Sequence, residues 1–204
     1  DLKFEPCSEE DNEMLWKALM KLKQVWGDPD IPAEEMWKYT SGTAGNLSII
    51  VWRFDKFYKL FNPRQLLTLV KLVKLIREAG KGINEEKLRE GWSREEAFNY
   101  AEAVITYLAI ALCKHIDYNF LCNLWDCNIP KISHGLTVRG IAMMWNWVDV
   151  NPLADFTGTW IRTLNQCVNG LSYLVSAVSG SSSRVRVLLD DATVLSKLGN
   201  EEFD

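Results

Sequence analysis

The residue types that could do chemistry lie in two places. The first is a cluster of Cys113, His115, Cys122, Cys127 and His134, five soft or imidazole side chains within one short span. Structural zinc sites bring paired ligands at C-x2-4-C spacing. "CNLWDC" has four residues between its cysteines and no matching second pair, and a helical 113–115 would turn Cys113 and His115 to different faces. No metal site is read here. The second place is the end, "SSSRVRVLLDDATVLSKLGNEEFD". A polar linker leads into Val185, Val187, Leu188 and Leu189, and then come two carboxylates. A strand with acids at its carboxyl end is how nucleotide-cofactor folds present a ligand to an adenosine group.

Other chemistry is excluded by pattern. "SGTAGN" has two glycines but neither the phosphate-loop spacing nor GxGxxG, and no G-x-S-x-G elbow occurs. With two histidines in the chain, an acid–base pair would need His115 or His134 beside a carboxylate, which spacing alone cannot place. Glu95, Glu96 and Glu102 fit capping or surface positions. The residues supply no self-sufficient active site.

Length and composition bound the class. The chain has 204 residues, 48% hydrophobic and 25% charged, which fits one globular domain with a small appendage and is too apolar for disorder. Charge is 23 Lys+Arg against 27 Asp+Glu, a net −4. Non-specific nucleic-acid binding neutralises phosphates, so a free-standing DNA binder is disfavoured, although a local basic face is not. The five cysteines are odd in number and sparse, so reduced thiols in a cytoplasmic compartment are expected. The start, "DLKFEPCSEEDNEM", is acidic and unlike a secretory signal. The longest apolar stretch, Ala103 to Cys113, is too short to span a bilayer. Nine tryptophans predict a Trp-rich core.

The elements that must hold these residues follow from periodicity. Residues 9 to 26 carry Met14, Leu15, Ala18, Leu19, Leu22, Val25 and Trp26 at three-to-four spacing, an amphipathic helix capped by Ser8 and stopped at Gly27-Asp28-Pro29. "PAEEMWKY" predicts a short helix from Pro32, and "LSIIVWRF" (Leu47 to Phe54) a strand. "NPRQLLTLVKLVKLIREAG" predicts a helix with Asn62 as N-cap, proline first, and Gly80 as terminator, its Lys71 and Lys74 solvated. "INEEKLREGW" adds a turn or two. Ser93 and Glu96 have capping-box spacing ahead of a helix apolar nearly all round, hence central and buried. "IAMMWNWVDV" predicts a helix ending before Asn151-Pro152. "GTWIRTLNQCVNGLSYLVSAVSG" predicts another, striped by Trp160, Leu164, Cys167, Val168, Leu171, Leu174 and Val175. The expected fold is mainly α: a bundle-like helical domain with one or two short strands. Expected boundaries are 1–55 for an N-terminal helical and strand segment, 56–180 for the helical domain, and 181–204 for a linker and strand.

"LLDDATVLS" resembles the GDA element of S-adenosylmethionine-dependent DNA methylases, in which a strand delivers an acid toward the cofactor's adenine. The stretch from Leu60 to Asp204, roughly two thirds of the chain, resembles the central region of a prokaryotic family of adenine-specific DNA methylases, large proteins that also carry a zinc ribbon. The matching pieces are "NPRQLLTL", "YLAIAL…DYN", "SHGLTVRGIAMMWNWVDVNPLAD" and "LLDDATVLS". The resemblance implies that Asp191 and Ala192 contact the adenine end of S-adenosylmethionine, with the terminal strand belonging to a Rossmann-like sheet whose other strands lie elsewhere. Asp190 stands where that family usually has glycine. It implies a glycine-rich cofactor loop upstream and a catalytic "DPPY" element downstream of a segment like "EEFD", so that this chain is a split gene product or expressed fragment, inactive alone. Asn62 to Ser179 would be an inserted segment that handles DNA. Arg64, Lys131 and Arg139 are the basic residues to test for phosphate contact, with ordinary surface or hydrogen-bonding roles as the alternative. His134 is read as a structural hydrogen-bonder and Asn151-Pro152 as a helix stop. Expected partners are DNA and the missing methylase segments, with self-association through the terminal strand edge. A non-catalytic helical protein-interaction module is the competing reading, favoured by the acidic charge, the tryptophans and the missing motifs.

Overall fold

The computed structural model describes residues 5–36, 54–126, 131–137, 140–141 and 148–178. The protein is mainly helical. Its α-helices are α1 (Glu9–Gln24), α2 (Pro63–Arg89), α3 (Arg94–Asp117) and α4 (Trp160–Val178), with a 3-10 turn at Phe57–Leu60. Among the described residues four two-residue strands, β1 (Trp125–Asp126), β2 (Lys131–Ile132), β3 (Leu136–Thr137) and β4 (Gly140–Ile141), form two antiparallel pairs. Trp125 pairs with Ile132, and Leu136 with Ile141. The chain divides into two compact units, Asp1–Asn169 and Gly170–Asp204, and residues 170–178 of the second are helical.

Three helices start where local chemistry predicts. Ser8, Asn62 and Ser93 each accept from the backbone N–H three residues on, and Asp11, Gln65 and Glu96 reach back to the cap's own N–H. Each reciprocal pair satisfies two of the donors that a helix start leaves open.

Gly80 does not end α2. The helix runs on to Arg89, and the residue that takes the left-handed conformation after it is Gly91, at φ 91°. Gly80 is buried against α3 instead: a Cβ there would lie 2.7 Å from Ile105 Cγ2. Its missing side chain lets two helices approach, a reason that periodicity cannot distinguish from termination.

Other expectations are corrected. Residues 32–35 form no helix, because Glu35 makes an antiparallel bridge with Lys56 and Pro32's carbonyl accepts from Tyr58 N–H. Long-range pairing overrides a weak local start signal there. Lys74 is not simply solvated but forms an ion pair with Asp28 that ties α2 to the turn after α1. Helix α3 is buried on one face only. Ala97, Ala101, Ala111, Leu112 and His115 face inward, while Phe98, Tyr107 and Ile110 stay exposed. Ile141, expected at a helix start, sits in β4. Of the nine tryptophans, the five among the described residues include none that is buried, and Trp16, Trp26 and Trp92 are exposed.

Aliphatic and phenylalanine side chains form the core instead. Leu22, Ile31, Leu66 and Val70 join α1 to α2, with Val25, Tyr58 and Phe61 packed against them. Met36, Leu60, Phe120 and Cys122 form a second cluster under Phe54, Phe57 and Phe61. Phe61 belongs to both. Of the strand predicted over Leu47 to Phe54, only Phe54 is described, and it is not in a strand; the rest and the terminal strand lie outside the described residues, so no Rossmann-like sheet is part of the described fold.

Candidate functional site

A polar network fills the space between the start of α2 and the end of α3. Gln65 is sealed from water because its backbone belongs to the first turn of α2, which packs inward. Its Oε1 accepts from Asn62 N–H at 2.9 Å. Its Nε2 donates to Asn119 Oδ1 at 3.3 Å and to the Val148 carbonyl at 3.1 Å. Asn62 Nδ2 and Arg64 Nε donate to Asp149 Oδ2 at 3.0 and 2.8 Å. A short cap sequence thus fastens the 148–149 segment onto the helix start by three hydrogen bonds.

The network continues through His115. Its Nδ1 lies 2.8 Å from the Gly158 carbonyl, which can only accept, so Nδ1 carries the proton. Nε2 then accepts from Asn119 Nδ2 at 3.3 Å. Burial holds the His115 pKa below its ordinary value, the Gly158 hydrogen bond opposing it. The ring is therefore a neutral buried strut. Gly158 adopts φ 84°, and a Cβ would stand 2.5 Å from Tyr118 Cβ, so a side chain is excluded by both conformation and space.

Beside it, the chain after α3 is held by Asn123. Its Oδ1 accepts from Phe120 N–H, and its Nδ2 donates to the carbonyls of Asp117 and Ser133. Gly135 N–H also donates to the Asp117 carbonyl, at 2.9 Å. A Cβ on Gly135 would meet the Phe120 ring at 2.2 Å.

At the surface end, His134 Nδ1 donates to Asp117 Oδ2 at 2.5 Å, and Tyr118 Oη donates to Nε2 at 2.6 Å. The two rings lie 4.2 Å apart between centroids. Asp117 fixes the tautomer and leaves Nε2 to accept from the Tyr118 hydroxyl. Burial, reinforced by Asp117, raises the Tyr118 pKa and keeps the hydroxyl protonated. The arrangement pins the 133–135 loop to the end of α3, the structural role expected for His134.

The expected site residues separate. Arg64 is committed to Asp149 through Nε and a 2.8 Å Nη2 contact. Lys131 is exposed at the start of β2. Arg139, Asp191 and Ala192 lie outside the described residues, as does Cys127. Of the sulfur–imidazole cluster, Cys113 is exposed, and Cys122 is buried with its thiol pushed up to about 11 by burial. Among the described residues no three His, Cys, Asp or Glu side chains are placed to hold a metal. Cys7, Cys113, Cys122 and Cys167 are free thiols. Asn151 Oδ1 accepts from Leu153 N–H at 3.0 Å, a local turn at Asn151-Pro152. No described helix is long and apolar enough to cross a membrane.

Sequence reasoning missed Gln65, Asn119, Asn123 and Asp149 as a unit. Gln65 had a signal, three residues after an asparagine cap. The others are polar residues near helix ends, where solvated positions are the ordinary expectation. No family model, no curated protein and no solved structure matches this chain.

Proposed function

We propose that the chain is part of an S-adenosylmethionine-dependent DNA adenine-N6 methyltransferase, its helical body being the DNA-handling or structural region and not active alone. One observation supports this most. Pieces on which the family resemblance rests, residues 62–65, 117–119, 133–135 and 148–149, are far apart in sequence but meet in one hydrogen-bonded network. Unrelated chance matches have no physical reason to be neighbours. The sequence holds no glycine-rich loop and no DPPY element, so cofactor closure and the grip on a flipped adenine must come from other segments. Of the basic residues proposed for phosphate contact, Lys131 is exposed on the β1–β2 pair, whereas Arg64 is tied to Asp149. Asp191 and Ala192 remain the residues assigned to the cofactor's adenine end.

The test is reconstitution. Co-expressed with segments supplying the glycine-rich loop and DPPY, the chain should support transfer of labelled methyl groups from S-adenosylmethionine to DNA adenine. Asp191→Ala should then weaken cofactor binding. The chain by itself should give no calorimetric signal with the cofactor, because one edge contact cannot offset the lost translational and rotational freedom. Failure of the assembled protein to transfer methyl would end this reading.

A further inference from the structure

Helix α4 is held to the rest of the fold by its first half. The Trp160 ring meets the His115 ring edge-on, centroids 6.4 Å apart. Ile161 N–H donates to the Pro152 carbonyl. Thr163 is buried, and Cys167 Sγ lies 3.7 Å from the Tyr107 carbonyl of α3. Beyond Gly170 the support stops. Leu171 is half-buried, and every residue from Ser172 to Val178 is exposed.

Other sources of helix stability are missing from the same stretch. No charged residue occurs between Arg162 and Val178. No ion pair can therefore form there like those joining Lys17 to Glu13 on α1 or Arg89 to Glu85 on α2. The last turn of α4 has no basic residue, whereas α1, α2 and α3 each carry them where the helix dipole favours positive charge. Ser172, Tyr173, Val175, Ser176 and Val178 stand in the weaker half of the helix-propensity ranking, and Gly170 stands below all of them. Ser176 Oγ donates to the Tyr173 carbonyl, a local bond that competes with the helix ladder. A helix growing from one already formed needs no new nucleus, so each added residue must be favourable by itself. Here the first step is a glycine with open space where a Cβ would stand, and nothing after it offsets that step.

We infer that α4 carries a built-in break at Gly170: residues 160–169 stay folded with the body, while 171–178 exchange between helix and coil without opening the rest. The break coincides with the boundary between the compact units Asp1–Asn169 and Gly170–Asp204. It is a conformational device, a joint at which the chain leaves the body through a segment whose helix forms and melts on its own. Helix–coil exchange of this kind is fast, on the order of a microsecond or less, so amide exchange reports populations rather than opening rates. None of this depends on the methyltransferase reading.

Amide hydrogen exchange of the 204-residue chain, followed residue by residue by NMR, tests it. Amides 171–178 should exchange within about tenfold of an unstructured chain, while residues 164–168 and the buried turns of α2 and α3 are protected at least about a thousandfold. Gly170→Ala, which meets open space, should raise the protection of 171–178 by up to about fivefold through propensity alone. It should leave α2 and α3 unchanged. Protection of 171–178 equal to that of α2 and α3 overturns the inference, because something then holds the second half in place. Exchange of 164–178 as one unit overturns it too, since the helix would open whole. So does a Gly170→Ala variant whose residues 171–178 exchange like the parent's, which moves the break away from the glycine.

Discussion

Gln65 and Asn119 meet side chain to side chain, Nε2 donating to Oδ1 at 3.3 Å, across 54 positions of sequence and with both groups almost wholly sealed from water. The contact joins the first turn of α2 to the residue two beyond the end of α3. Both side chains are fully engaged: Gln65 also holds Val148 and Asn62, and Asn119 holds His115. Buried polar groups of this kind are expensive when one member is removed, because the remaining partners lose water and gain nothing.

Gln65→Leu is therefore expected to destabilise the fold by about 3 kcal/mol, although leucine has similar bulk and raises apolar content. The Asn62 N–H, the Asn119 carbonyl oxygen and the Val148 carbonyl would all lose a partner. Urea unfolding followed by circular dichroism measures the change. A loss below about 1 kcal/mol, the net worth of one ordinary hydrogen bond, would mean that water replaces the side chain and the network is not closed.

The two glycines of α2 separate packing from propensity. Gly82 has open space around its Cα, so Gly82→Ala should stabilise the protein by about 0.5–1 kcal/mol through helix propensity. At Gly80 the same propensity gain is opposed by the 2.7 Å approach of Ile105 Cγ2. Gly80→Ala should be near neutral or harmful, and Gly80→Val should cost about 1–3 kcal/mol by overpacking. Thermal melting of the three variants gives the ranking. If Gly80→Ala stabilises as much as Gly82→Ala, Ile105 yields freely and the α2–α3 approach is loose.

These contacts show what a sequence makes visible. The Ser93–Glu96 capping box was legible because its partners sit three residues apart, and the Ser8 cap and the asparagine-proline start of α2 for similarly local reasons, although Asp11's return contact to Ser8 was not read. The end of α2 was not, since a glycine that terminates a helix and one that lets a helix approach look identical until Ile105 is in place. Inward alanines on α3 hid which face was buried, because they leave the large apolar residues to the outside. The site divided in the same way. His134 could be read as a hydrogen-bonder from its residue type, but its partners, Asp117 and Tyr118, are set by the path of the chain through Asn123. Asp149 could not be linked to Arg64 from spacing at all.

Arg64 and Lys131 should behave differently in a binding assay. Arg64 is tied to Asp149, which is itself held by Asn62, so Arg64→Ala should lower stability by up to about 1 kcal/mol, the range of a partly exposed ion pair. It should leave affinity for duplex DNA unchanged. Lys131→Ala should leave stability within about 0.5 kcal/mol and, if the proposed methyltransferase assembles on DNA, reduce the salt dependence of its binding by about one phosphate contact. Fluorescence anisotropy at several salt concentrations distinguishes the two. A lowered salt slope for Arg64→Ala would show that the arginine leaves Asp149 when DNA binds.

Acid should act through His115 before it acts through the carboxylates. The ring is fully buried, and burial depresses its pKa from the ordinary 6.5. In the folded chain Nδ1 donates to Gly158 and Nε2 accepts from Asn119, whose Oδ1 is already taken by Gln65. A second proton on the ring would face the Asn119 amide, and that amide cannot turn over without breaking the Gln65 contact. The unfolded chain thus binds more protons than the folded one, and stability rises with pH. The contribution is complete above the unfolded value of 6.5 and is lost as pH falls through the depressed folded value. Asp28 and Asp55, lowered by their lysine hydrogen bonds, add their losses only below about their ordinary 3.8. Below the unfolded 6.5 the slope from this one group should not exceed about 1.4 kcal/mol per unit. His115→Gln, which keeps a donor for Gly158, should flatten the curve relative to the parent while lowering stability at pH 7. The difference between the two curves isolates His115 from the exposed His134. Parallel curves would mean that the ring is already hydrated, and that the strut between α3 and the start of α4 is open to water.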